Sequence, residues 1–310
     1  MVILFEAEST PVENTSVNDV WRPFSYTSFD GLTLKGRDYG SRLNGTTPLV
    51  CLPGLTRSTR DFDTIARTIA YDDENPRRVL ALDYRGRGES DYDRNWTNYT
   101  PLIEANDVLN GITAAGMGDV ALLGTSRGGI ISMLLGISRP SIIKGVIMHD
   151  IGPELDGGGL IRIKNYVSRM PVPKNWNDAA EVLKTIHGAH FPNYSQEDWE
   201  RSARLTFRDD NGMPKKDYDP ALIKTLKDIS PDAPIPTMWP QFLSLRSKPL
   251  LTIRGGISDL LSEETLETMD RAHPTMETVI VPDEGHVPSL TGTDTVAAIK
   301  RLLLKADIPH

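Results

Sequence analysis

The chain has 310 residues, with 34 Lys+Arg against 42 Asp+Glu, a formal net charge of −8, 39% apolar and 25% charged residues, which are ordinary globular proportions. The acidic balance excludes a dedicated nucleic-acid backbone binder, and no apolar run approaches the roughly 20 residues that span a bilayer. The single cysteine, Cys51, excludes an internal disulfide and a Cys-rich zinc site.

The opening run, residues 1–5, is interrupted at once by Glu6 and is too short for the apolar core of a secretion signal. A cytoplasmic protein with no membrane and no nucleic-acid partner is therefore expected. Five N-x-S/T sequons, at Asn14, Asn44, Asn95, Asn98 and Asn193, then read only as turn chemistry. Two strand-like runs, 23–27 and 32–37, flank Asp30-Gly31 and predict a hairpin. Continuous apolar runs follow at 49–52, 79–82, 120–123, 146–148, 250–253 and 279–281. Strands apolar on both faces belong to a parallel sheet covered by helices. Helical spacing appears between them at Phe62, Ile65, Ala66 and Ile69, and at Leu102, Ala105, Leu109 and Ile112. Residues 129–137 form a nearly wholly apolar helix, and Val296, Ile299 and Leu303 mark the last one. The alternation predicts an α/β fold with right-handed crossovers.

Residues 154–245 break the alternation. Helical spacing recurs at Leu160, Ile163 and Val167, and again at Ala179, Val182, Leu183 and Ile186. Ser195 with Asp198 reads as a helix start, and six prolines from Pro214 to Pro240 punctuate the remainder. The segment predicts several helices and no strong strand. The expected division is a core of residues 1–153 and 246–310, with 154–245 inserted as a helical cap.

Gly124-Thr125-Ser126-Arg127-Gly128 follows a strand and opens the apolar helix, the order of a nucleophile elbow. A serine hydroxyl needs a base, and a third group must orient that base. His286, in Asp283-Glu284-Gly285-His286 directly after the last strand, is the candidate base. For the acid, Asp259 lies just beyond the preceding strand, while Asp150 stands at another carboxyl strand end and competes for the role. Asp259 is favoured because Ser126, Asp259 and His286 follow the chain order Ser, Asp, His. An oxyanion needs preorganised N–H donors, and the backbone of Arg127 and of Leu55, just beyond Pro53-Gly54, are the candidates. Gly86-Arg87-Gly88 has Asp91 where a dinucleotide fingerprint needs its third glycine, so no nucleotide cofactor is expected, nor any metal.

Pro53-Gly54-Leu55, the D-x-R-G-x-G-x-S segment from Asp83 to Ser90, Gly124 to Gly128, Asp259 and Glu284-Gly285-His286 together resemble the α/β-hydrolase family, specifically its small-molecule hydrolases with a helical cap. The resemblance implies a mostly parallel eight-stranded sheet flanked by helices. It covers roughly residues 23 to 305, strongly in the core and hardly in the cap. Two departures stand out: Pro53-Gly54 replaces the family's frequent His-Gly, and Arg127 replaces the commoner apolar or Gln residue after the nucleophile. Relatives that open epoxides or displace halide carry aspartate at the elbow, so a serine implies acyl transfer to water. Ester or lactone hydrolysis leads, C–C hydrolysis of a ring-cleavage product is the alternative, and a non-catalytic ligand receptor is the third reading. The partner is a small-molecule substrate, and the sequence leaves the oligomeric state open. Trp199, Trp239, Met238 and Tyr166 are candidate pocket residues. Arg57, Arg60, Arg85 and Arg127 are candidates to meet a substrate carboxylate.

Overall fold

The computed structural model describes residues 20–230 and 235–308. The run 1–5, Asn14, Pro231, Pro234 and His310 lie outside the described residues.

Strands β1 (Arg22–Thr27) and β2 (Thr33–Tyr39) pair antiparallel around Asp30-Gly31, as the turn chemistry requires. The apolar runs become β3 (Leu49–Leu52), β4 (Val79–Leu82), β5 (Val120–Thr125) and β6 (Ile143–His149). Between them lie α1 (Asp63–Ala70), α2 (Pro101–Ala114) and α3 (Arg127–Ser138). After β6 the chain forms α4 (Gly157–Arg169), α5 (Trp176–His187) and α6 (Gln196–Thr206). A hairpin of β7 (Phe207–Asp210) and β8 (Met213–Lys216) and the short α7 (Trp239–Leu243) complete this insertion. The core resumes with β9 (Leu250–Gly255), α8 (Glu263–Ala272), β10 (Met276–Val281) and α9 (Thr293–Ala306).

The eight-stranded sheet has the order β1-β2-β4-β3-β5-β6-β9-β10, in which only β2 runs against its neighbours. Successive side chains of a strand point to opposite faces. Val50, Leu52, Leu80, Leu82 and Leu122 therefore join the cluster with α2 and α3, while Leu49, Cys51, Val79, Ala81 and Leu123 join the one with α1 and α9. Two apolar layers thus sandwich the sheet, and Cys51 is buried in one of them.

Two elements differ from the sequence expectation. The insertion contains a β-hairpin where only helices were expected; Asn211 and Gly212 take positive φ at its tip, and this Asn-Gly pair is the local signal that specifies it. Helix α2 buries Glu104, Ala105, Asp107, Val108, Gly111 and Ile112 and leaves Leu102 exposed. Its inner face thus carries two carboxylates that an apolar stripe does not anticipate. They are buried because arginines meet them: Arg85 binds Asp107 through two hydrogen bonds, and Arg87 and Arg127 flank Glu104.

The expected helix start at Ser195 opens α6, and Ser195 and Asp198 go further and form a reciprocal capping box. Met170, Ala179, Leu183, Phe191, Trp199 and Phe207 give the insertion a small core of its own.

Candidate active site

Ser126 stands between β5 and α3 with φ of 51° and ψ of −110°, a conformation that an L-residue adopts only where its surroundings enforce it. Both flanking glycines are dictated by packing. A Cβ on Gly124 would lie 2.5 Å from the backbone of Gly128, and one on Gly128 would lie 2.1 Å from the Leu52 carbonyl oxygen. The turn can be that sharp only where backbone meets backbone, and it lifts the serine hydroxyl above the carboxyl edge of the sheet.

The hydroxyl of Ser126 donates to Nε2 of His286 at 3.0 Å, and Nδ1 of His286 donates to Oδ2 of Asp150 at 2.8 Å. Asp150 is fully buried, and its carboxylate also accepts the Gly255 N–H at 2.8 Å and the Ser258 hydroxyl at 2.7 Å. The loop after β9 therefore supports the carboxylate that meets the imidazole without supplying it. Asp259, the expected acid, is not part of this relay. Arg162 of α4 binds its carboxylate through Nε at 2.5 Å and Nη2 at 2.8 Å. Burial opposes the Asp259 charge, but the Arg162 guanidinium outweighs it and holds the carboxyl below its ordinary value. Chain order did not discriminate, since Asp150 also lies between Ser126 and His286.

The loop after β3 runs beside the serine: a Cβ on Gly54 would be 3.9 Å from the Ser126 Cβ. The Leu55 N–H meets no acceptor among the described residues, and Arg127 is the first residue of α3, where N–H groups point out of the helix end unpaired. The carbonyl of Leu55 is fixed by Arg87 Nε at 2.9 Å. The Arg127 side chain points away from the serine, to Glu104 at 2.5 Å and the Tyr99 carbonyl at 2.9 Å.

A model of the alpha/beta hydrolase family matches residues 49–299. The chain belongs to that family. It is 31% identical to a 3-hydroxybutyrate-oligomer hydrolase of Cupriavidus necator over 257 residues, 80% of this chain and 85% of the relative. It is 25% identical to the sn-1-specific diacylglycerol lipase ABHD11 of Danio rerio over 243 residues, 78% of this chain and 73% of the lipase. An alpha/beta hydrolase of Novosphingobium aromaticivorans shares the fold with a TM-score of 0.84 and 34% identity, across 92% of this chain and 99% of that one.

In this α/β-hydrolase a cavity of about 800 Å³ opens onto Ser126 and His286, walled by the core on one side and the insertion on the other. Of the expected pocket residues, Tyr166 and Trp199 line it. Trp239 and Met238 do not: α7 folds back against α3, the Met238 N–H donates to the Pro153 carbonyl, and the Trp239 indole donates to Glu154. Of the expected arginines, only Arg57 lines the cavity, and Asp61 binds it at 2.7 Å through two nitrogens. Arg60 pairs with Asp217, Arg85 with three aspartates, and Arg127 with Glu104. Sequence reasoning passed over three residues that the structure places at this site: Ser258, which bonds Asp150; Arg87, which bonds the Leu55 carbonyl; and Lys216 of β8, which lines the cavity.

His149, beside Asp150, has a structural place: its ring nitrogens meet the Thr125 hydroxyl and the Pro288 carbonyl, both at 2.8 Å. Burial pushes its pKa down to about 4. The unfolded chain takes up this proton near pH 6.5 but the folded chain only near 4, so stability is full above about 6.5 and falls as pH drops through that window. Urea midpoints measured from pH 7 to pH 4 are expected to decline, and less steeply in His149→Gln; parallel slopes would show that other groups carry the effect.

Proposed function

We propose that the chain is a serine hydrolase that cleaves small carboxylic esters or lactones through an acyl-enzyme on Ser126. The observation that carries this reading is the unbroken relay from the Ser126 hydroxyl through His286 to Asp150, at 3.0 and 2.8 Å. As Ser126 Oγ bonds to the substrate carbonyl carbon, its proton moves to Nε2 of His286. Asp150 holds Nδ1 protonated and stabilises the imidazolium. The carbonyl oxygen, now negative, is received by the Leu55 and Arg127 N–H groups. Collapse breaks the bond to the alcohol oxygen, which takes the proton from His286. Water then repeats the sequence on the acyl-enzyme and releases the acid.

The insertion of residues 154–245 acts as a cap, since its helices supply much of the wall around the serine and so set what enters. The relatives named as a hydroxybutyrate-oligomer hydrolase and a diacylglycerol lipase support ester bonds as the target. No helix among the described residues is long and apolar enough to cross a membrane, and we place the protein in the cytoplasm, where the buried thiol of Cys51 stays reduced.

A fluorophosphonate probe is expected to label the wild-type protein at one site and to leave Ser126→Ala unlabelled. Absence of labelling in the wild type, or equal labelling of the variant, would remove the serine mechanism.

A further inference from the structure

The charged groups on the cavity wall are paired unevenly: Asp61 and Asp198 meet cations, Asp283 and Glu284 meet only neutral donors, and Lys216 meets no anion among the described residues. Each of four carboxylates there already has a donor. Asp61 is held by Arg57, Asp198 by Ser195 and Arg201, Asp283 by Asn193, and Glu284 by the Ser289 N–H. Two of the wall's cations are spent in the same way, Arg57 on Asp61 and Arg201 on Glu197 and Asp198. His187 is kept neutral, since burial pushes its pKa down to about 3. Lys216 remains: it makes no salt bridge and no side-chain hydrogen bond among the described residues.

Its position follows from strand geometry. Lys216 lies directly across from Phe207 in the β7–β8 pair, so the two side chains share a face. Phe207 is buried in the insertion's core and lines the cavity, whereas the neighbouring Lys215 faces outward and pairs with Asp210. Lys216 is half-buried, and loss of water around its ammonium lowers its pKa. A partly desolvated cation with no anion partner among the described residues is suited to take one from a ligand.

We propose that Lys216 is the counter-ion for a free carboxylate on the substrate, so that the hydrolase selects esters of acids that carry a second, ionised carboxyl group. The reading names the substrate class for the ester hydrolase proposed above and rests on it for the choice of ligand. In this reading the carboxylate meets Lys216 and the ester carbonyl meets Ser126, both on the wall of the same cavity, where Tyr166 and Trp199 offer apolar surface to the connecting methylenes. A neutral diester of the same length leaves the ammonium unpaired and forgoes that contact.

Calorimetric titration of full-length Ser126→Ala with monomethyl adipate and with dimethyl adipate tests this without turnover. The monoester is expected to bind at least about tenfold more tightly. Lys216→Met in the same background is expected to erase that preference, and Lys216→Arg to keep most of it. Equal binding of the two esters, or a preference that survives Lys216→Met, would overturn the proposal. Its failure is separable from failure of the serine mechanism: labelling of Ser126 reports on the latter, while the binding preference is read in a chain that has no nucleophile.

Discussion

Asp150→Asn is expected to lower kcat for a p-nitrophenyl ester by about 10³- to 10⁴-fold, while Asp259→Asn leaves it within about threefold. The asymmetry follows from what each carboxylate touches. Asp150 accepts the Nδ1 proton of His286 at 2.8 Å and is held in place by Gly255 and Ser258. Asparagine would present either an amide oxygen held less strongly by the imidazolium or an NH₂ group that forces the wrong tautomer, and in both cases Nε2 loses its power to take the serine proton. Asp259 instead ties Arg162 to the loop after β9, with both side chains partly exposed. Losing that pair costs about 1 kcal/mol or less and touches no reacting atom. Matching thermal midpoints for Asp150→Asn and wild type would confirm that the loss is chemical. A larger kcat loss in Asp259→Asn than in Asp150→Asn would return the acid to the β9 loop.

Glu104→Ala is expected to cost about 3–5 kcal/mol of stability, read as a lower urea midpoint, whereas Ala at the exposed helical residue Glu181 stays within about 0.5 kcal/mol. Glu104 is fully buried and sits between two guanidiniums, with Arg87 at 2.8 Å and Arg127 at 2.5 Å. Burial of Arg87 already lowers its pKa, with Glu104 the largest influence opposing that shift. Removing the carboxylate leaves two positive groups facing each other in the core without a counter-charge. The consequence reaches the site, because Arg87 also holds the Leu55 carbonyl and Arg127 carries the second candidate oxyanion donor. A Glu104→Ala midpoint within 1 kcal/mol of wild type would show that the cluster relaxes or takes in water.

Local chemistry in the sequence is enough to place the strands, the sharp turn at Ser126 and the position of His286. An apolar run is buried on both faces wherever it lies, and the glycines at 124 and 128 are demanded by backbone contacts within one strand–turn–helix unit and its neighbouring strand. The Asn211-Gly212 hairpin was equally local and open to reading from its turn residues. The acid is a different kind of question. Asp150 and Asp259 follow β6 and β9, which are parallel neighbours in register from Val146 with Leu250 to His149 with Ile253. Both therefore leave the same edge of the sheet in similar sequence surroundings. In the folded chain Asp150 meets the imidazole and is held there by Gly255 and Ser258, while Asp259 pairs with Arg162, more than ninety residues away in sequence. The buried acids of α2 and the ammonium of Lys216, unpaired among the described residues, belong with it: a charge is satisfied or left over only once distant segments are brought together. The sequence alone determined the sheet and the serine–histidine pair, because backbone geometry and hydrophobic period act over a few residues. The tertiary structure alone decided the partners of the charges, because Coulombic pairing acts through space.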